Sequence, residues 1–235
     1  MRQNRARRAA LVDAAIEVLA REGARGLTFR AVDAEAAVPT GTASNYFANR
    51  DDLLGQVGSR IYERLEPDAE TLAAGLGGPR TREQVALLVH ETVHRVAGFR
   101  SGYLALLELR LEATRRPELR AFLTRRIRQD VDANVANHLA AGLPGDETTV
   151  LTLYMAMNWL VVEQLTLPDV FPADTVPGLV DAIVDRILPP APTGTEPGAD
   201  ADADPGARAS ARASVDPAAS ADAPSGSSAG QHQGS

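Results

Sequence analysis

An all-helical protein of about nine helices, with a three-helix unit at its N-terminus, is the fold class this sequence predicts. Apolar residues recur at three- and four-residue intervals through the first 188 residues, and no stretch shows convincing strand alternation. Gly and Pro fall between these stretches, at Gly23, Gly26, Pro39, Pro67, residues 75–80, Pro117 and Gly142. Residues that cap helices stand just after the breaks, at Thr28, Asn49, Thr81 and Asp146.

Each element follows from these signals. Leu11, Ala15, Val18 and Leu19 form one stripe of a first helix over residues 5–22, which Gly23 stops. Thr28 caps a second helix that runs to about Val38, with Leu27 placed to staple onto Val32. Pro39 ends it, and a short third helix is expected from about Thr40 to Phe47. Asn49 caps a fourth, with Asp51 and Asp52 in the first turn where the helix dipole favours anions; it runs to about Leu65, before Pro67. A Gly/Pro loop at 75–80 precedes the remaining five helices: Thr81 to about Ala97, 102–115, Pro117 to near Gly142, Asp146 to about Leu167, and from Asp174 or Thr175 to about Leu188.

Composition narrows the function. The chain of 235 residues has no cysteine, which excludes disulfides, thiol nucleophiles and Cys-ligated zinc. No apolar run is long enough to span a membrane, and the segment after the basic N-terminus carries Asp13 and Glu17 where a signal peptide is apolar. A cytoplasmic protein is therefore expected. The net charge of −7 is unevenly spread. Residues 1–50 hold eight Arg against five acids, a net of +3, whereas residues 189–235 hold six acids against two Arg, a net of −4. A basic head on an acidic body suits a protein that offers one end to DNA. From Pro189 onward the chain is Ala, Asp, Pro, Ser and Gly with Val215 its one large aliphatic, the composition of a disordered tail. The expected organisation is a basic, DNA-facing head at 1–50, a helical body at 51–188, and the tail at 189–235.

Residues 28–54 carry the chemistry: TFRAVDAEAAVPTGTASNYFANRDDLL. Two short helices joined by a tight turn, preceded by a longer one, describe a helix-turn-helix. Phe29 and Val32 face inward, and Tyr46 and Phe47 end the third helix as an aromatic anchor. Between them, Thr40, Thr42, Ser44 and Asn45 are small and polar, and such side chains let a helix sit deep in the major groove. This pattern resembles the TetR (tetracycline-repressor-like) family through Thr28, Ala36, Val38, Gly41, Tyr46, Phe47, Arg50 and Leu53-Leu54. It departs at Ala37, where the family usually has Gly, at Pro39, where it has Ser, and at Ser44, where an aromatic is frequent. A left-handed backbone at position 37 would cost Ala on the order of 1 kcal/mol.

The resemblance implies that Thr40, Thr42, Ala43, Ser44 and Asn45 approach bases. It places Thr28, Tyr46 and Arg50 at phosphates, and Arg2, Arg5, Arg7 and Arg8 in a mobile arm. It also implies a homodimer on a double-stranded, palindromic DNA operator, joined through the last two helices, and no cofactor. The apolar stripes there are Val150, Leu153, Met157, Leu160 and Val161, then Val176, Leu179, Val180, Ile183, Val184 and Ile187; a monomeric core could use them equally. A small hydrophobic effector is expected among the later helices, with Phe99, Tyr103, Leu107, Phe122, Tyr154, Asn158, Trp159 and Glu163 as candidate lining residues. Its binding is expected to move the fourth helix and release the DNA.

Two other readings compete. His90-Glu91-Thr92-Val93-His94 matches H-E-x-x-H, which sets two imidazoles on one helix face as in zinc hydrolases. It needs a third ligand, for which Glu108 or Glu112 could be proposed, though nothing in the sequence points to either. A helical ligand-binding module without DNA activity is the other; it predicts that the arginines near the N-terminus and Asn45 can be changed without consequence. Gly75-Leu76-Gly77-Gly78 lacks the Lys and the strand of a phosphate loop.

Overall fold

The computed structural model describes residues 2–188, with Arg2, Gln3 and Leu76 described by backbone alone; the tail expected at 189–235 lies outside the described residues. Nine α-helices are present among the described residues: α1 (Arg2–Gly26), α2 (Phe29–Glu35), α3 (Arg50–Leu65), α4 (Ala69–Gly77), α5 (Arg82–Gly98), α6 (Arg100–Ala113), α7 (Pro117–Ala140), α8 (Glu147–Thr166) and α9 (Val176–Ile187). A 3₁₀ turn at Ala43–Asn45 lies between α2 and α3. No described helix is long and apolar enough to cross a membrane.

The helix count matches the expectation through two offsetting differences. The third helix, expected over Thr40–Phe47, is reduced to the 3₁₀ turn. Pro39 has no N–H, Gly41 takes φ +94°, and the Thr42 and Ser44 hydroxyls donate to the Pro39 and Gly41 carbonyls at 2.5 and 2.8 Å. Those local bonds favour the tighter i→i+3 pattern over an α-helix. Conversely, α4 forms where only a connection is expected, because Asp68 caps it by accepting from the Thr71 N–H at 2.7 Å. Helix α1 also starts earlier than residue 5: the arginines expected as a mobile arm continue it back to Arg2.

Gly23 does interrupt α1. Its φ of 69° and ψ of −177° belong to a backbone region that only glycine occupies readily. The turn beyond is redirected, and the Ala24 N–H is accepted by Glu108 Oε2 of α6 at 3.0 Å. A Cβ at position 23 would stand 3.3 Å from the same oxygen.

Two hydrophobic cores result. The first joins Leu11, Ile16 and Leu19 of α1 and Val32 of α2 to Leu53, Val57 and Ile61 of α3, Leu109 of α6 and Leu123 of α7. Gly58 belongs to this packing: a Cβ there would come within 2.9 Å of the Phe122 ring, so α7 packs closely on α3. The second gathers Val85 and Val93 of α5, Tyr103 of α6, Leu153, Met157, Leu160 and Val161 of α8, and Val180 and Val184 of α9. The buried stripes of α8 and α9 are thus core within one chain. The large apolar residues that α8 leaves outside are Met155 and Trp159, 63% and 64% exposed.

Candidate nucleic-acid interface and internal cavity

Helix α2 is held at both ends by its own sequence. Thr28 Oγ1 accepts from the Ala31 N–H at 3.1 Å. At the other end the Ala37 N–H donates to the Ala34 carbonyl at 3.1 Å and the Val38 N–H to the Asp33 carbonyl at 3.0 Å. This is a Schellman motif, whose pivotal residue takes a left-handed backbone; here that residue is Ala37, at φ 51°. The expected departure from glycine is therefore a real strain.

The chain then crosses to the 3₁₀ turn under the control of Asp33. Its carboxylate, 1% exposed, accepts from the Gly41 N–H and the Ala43 N–H, both at 2.7 Å. Two backbone donors on one buried carboxylate hold the segment 39–46 against α2. That segment presents Thr40, Ser44 and Asn45 fully to the surface and Thr42 partly. Ala43, grouped with them in the sequence reading, is buried at 0% exposure and faces the core. Tyr46 is half-buried, and its hydroxyl has no hydrogen-bond partner among the described residues. The Arg8 guanidinium lies 5.8 Å from the Tyr46 ring centre and 5.6 Å from that of Phe47, and donates to Gln56 at 3.0 Å. Phe29 stacks on Phe47 with centroids 6.4 Å apart. Arg5 and Arg7 are exposed on the same end of α1. Arg50 turns inward and donates to the Ala24 carbonyl, which leaves its buried Nε without a partner.

A cavity of about 320 Å³ opens further along the molecule, between the far end of α3 and helices α4 to α8. Tyr62 and Leu65 of α3, Leu72 of α4, Leu88 and Val96 of α5, and Leu106 of α6 form its apolar wall. Of the eight residues expected to line such a space, Tyr103, Tyr154 and Asn158 do so. They are joined: the Tyr103 hydroxyl donates to Asn158 Oδ1 at 3.0 Å, and Asn158 Nδ2 donates to the Tyr154 carbonyl at 2.8 Å. Burial pushes the Tyr103 hydroxyl up to about 12 and holds the Tyr62 and Tyr154 hydroxyls above their ordinary range, so all three are neutral donors at physiological pH. The other five stand elsewhere. Phe99 packs on the first core under Arg64, whose guanidinium is 3.7 Å from its ring centre. Phe122 packs against Gly58, Leu107 against the second core, and Trp159 faces outward. Glu163 is half-buried and outside the lining. A shallower groove of about 570 Å³, beside Arg120, Arg128 and Met155, runs along the outer surface.

Three residues have roles that sequence reasoning did not find. Asp33 shares the inward stripe of Phe29, Val32 and Ala36, and an acid on an apolar stripe is the available signal. Glu108 holds the redirected end of α1, and nothing local marks it. Asp130, on α7, borders the cavity; burial raises its carboxyl, with Arg126 opposing.

The H-E-x-x-H residues do not converge. His90 Nε2 lies 2.7 Å from Asp181 Oδ1 of α9, and His94 and Glu91 are exposed. Glu108 is committed to Ala24, and Glu112 pairs with Arg115 and Arg116 at 3.0 Å. No group of three or more metal-ligating side chains occurs among the described residues.

Comparison with known proteins agrees with this architecture. A family model described as bacterial regulatory proteins, tetR family, matches residues 11–57, and a tetracyclin repressor-like C-terminal domain matches residues 80–190. The chain is similar to the HTH-type transcriptional regulator BetI of Agrobacterium fabrum, 30% identical over 55% of this chain and 63% of that protein's length. It is also similar to the nicotine-responsive transcriptional repressor HdnoR of Paenarthrobacter nicotinovorans, 23% identical over 77% of this chain and 95% of the relative. Among solved structures, a TetR-family member from Streptomyces coelicolor is 28% identical with a TM-score of 0.57, covering 78% of this chain and 98% of that one. The multidrug-binding protein EbrR, in complex with imidazole, is 27% identical with a TM-score of 0.56, covering 80% and 97%. The helix-turn-helix, the helical body behind it and both family matches lead to one assignment: the chain belongs to the TetR family of bacterial transcription regulators, with a DNA-binding head and a helical regulatory body.

Proposed function

We propose that this protein is a homodimeric, effector-responsive repressor that leaves a palindromic operator when a small molecule fills the cavity. The observation that carries this reading is the course of α3. It begins at Arg50, capped by Asn49 next to the surface segment 39–46, and ends at Leu65 in the cavity wall. Sixteen residues span about 24 Å, so one rigid element joins both places. Arg60 of α3 reinforces the link to the head by gripping Asp13 of α1 through Nε and Nη2 at 2.9 and 3.1 Å. Helix α6 makes a second connection: Tyr103 and Leu106 line the cavity, and Glu108 follows them to the Ala24 N–H.

In this mechanism Thr40, Thr42, Ser44 and Asn45 read base edges, while Thr28, Tyr46, Arg5 and Arg8 meet phosphates. The Tyr46 hydroxyl, without an intramolecular partner among the described residues, has a donor to offer. One 3₁₀ turn buries little surface, so affinity needs two heads, and the exposed Met155 and Trp159 of α8 supply an apolar face for a second copy. Residues 1–50 act as the DNA head and 51–188 as the sensing and dimerising body. An effector at saturation that prefers the DNA-incompetent arrangement by about 1.4 kcal/mol lowers operator affinity tenfold. HdnoR is described as nicotine-responsive and EbrR, a multidrug-binding protein, is seen in complex with ethidium and with imidazole, which supports an organic effector for this chain. Selection from a random duplex pool is the test. It should return an inverted repeat with half-sites at least about 34 Å apart; recovery of unrepeated or unenriched sequence would contradict the proposal.

A further inference from the structure

We infer that the cavity takes an aromatic ammonium or quaternary nitrogen cation, and that Asp130 is the counter-charge that selects it. The inference rests on the effector reading of the cavity and adds the ligand's charge. The polar lining carries three carboxylates, Glu66, Glu91 and Asp130, against one guanidinium, Arg95. Two of the carboxylates are already accounted for. Glu66 is ion-paired with Arg126, and Glu91 is exposed to solvent. Asp130 differs from both: it is half-buried, and no described residue donates to its carboxylate or pairs with it.

A half-buried carboxylate without a donor is costly, because lost hydration is not replaced. Burial accordingly pushes the Asp130 carboxyl above its ordinary range, although Arg126 and Arg95 pull the other way. A cation entering the cavity would supply the missing partner, and an anion would meet an unpaired like charge. Arg95 does not reverse this. It is one guanidinium among three carboxylates, and two of its donors are held by the wall, Nε by the Leu65 carbonyl at 3.1 Å and Nη2 by Thr92 Oγ1 at 3.3 Å. The remaining lining suits the rest of such a ligand. Tyr103 and Tyr154 contribute aromatic surface, which attracts both ring systems and cationic nitrogen. The cavity's volume of about 320 Å³ admits a compact bicyclic molecule.

Calorimetric titration of the full chain with three probes of one size tests this: N-methylquinolinium, 4-methylquinoline at a pH where it is neutral, and 1-naphthoate. The cation should bind at least about tenfold tighter than the neutral probe, a difference of about 1.4 kcal/mol, and the anion weakest. Asp130→Asn should abolish the charge preference while changing neutral-probe affinity less than about twofold, since it removes charge and keeps shape. Asp130→Glu should retain the preference. Circular dichroism guards against misfolding, and the Asn variant should melt no lower than the parent because it relieves a buried charge. Tightest binding of 1-naphthoate, a preference that survives in Asp130→Asn, or no binding of any probe would overturn the inference. Operator binding is read separately, so a repressor with a charge-blind cavity is distinguished from a cation-binding protein that does not recognise DNA.

Discussion

Replacing Asp33 by Ala removes the one buried acceptor that shapes the DNA-facing segment. Its carboxylate takes two backbone N–H groups at 2.7 Å, from Gly41 and Ala43. Hydrogen bonds to a charged group contribute about 1.5–3 kcal/mol each. Gly41 is half-exposed, so water replaces its lost acceptor, but Ala43 is completely buried and its N–H is left orphaned. The net cost should therefore fall near the lower end of the sum, about 3 kcal/mol. For a chain of this size that lowers the melting temperature by about 6–12 °C. Asp33→Asn keeps one oxygen and turns an amide N–H toward the other donor, so roughly half the cost is expected. Thermal melts followed by circular dichroism give the stability, and fluorescence anisotropy with a labelled operator gives the DNA affinity. Affinity should fall further than stability alone explains, because the loosened residues 39–46 are those that meet the bases. A melting temperature within about 2 °C of the parent, with DNA binding unchanged, would refute the role assigned to Asp33.

Other substitutions probe other parts of the account. Ala37→Gly should raise stability by about 0.5–1 kcal/mol in denaturant melts, since φ 51° strains an alanine and not a glycine; a loss of stability would mean the strain is negligible. Tyr46→Phe should weaken binding to every duplex about five- to tenfold with little change in melting temperature, as expected for one phosphate hydrogen bond; unchanged affinity would remove Tyr46 from the interface. Trp159→Glu should shift sedimentation toward the monomer and weaken operator binding with it, because the exposed face of α8 is the proposed dimer surface. A dimer of undiminished stability would place that surface elsewhere.

What could be read from the sequence was local. The stripe Leu11, Ala15, Val18 and Leu19 emerges with every member at 0% exposure, because helical period alone selects one face. The four expected caps all hold: Thr28, Asn49, Thr81 and Asp146 each accept the N–H of the residue three positions on. The strain at Ala37 was foreseen only through the family resemblance, which has Gly where this chain has Ala; the Schellman turn that causes it is seen in the structure. What escaped depends on tertiary context. The fate of 40–47 hinged on a carboxylate eight and ten residues back and on hydroxyls that compete for carbonyls, so a short helix and a 3₁₀ turn were not separable by pattern. The cavity lining required knowing how α6, α7 and α8 are rotated against one another. Tyr103, Tyr154 and Asn158 turn inward, but Phe99 and Phe122 serve the other core and Trp159 points out. Glu108 meets Ala24 across 84 residues, a contact with no local signature.

The central claim is that segment 39–46 reads DNA as part of a paired head. Fluorescence anisotropy of the full chain with the selected inverted repeat and with its scrambled counterpart, each over a salt series and each repeated with Asn45→Ala, tests it most directly. The account predicts tight binding to the repeat that weakens steeply as salt rises, weak binding to the scrambled duplex, and an Asn45→Ala protein that loses discrimination while keeping its salt slope. Equal affinity for both duplexes, or discrimination untouched by the loss of Asn45, would contradict it.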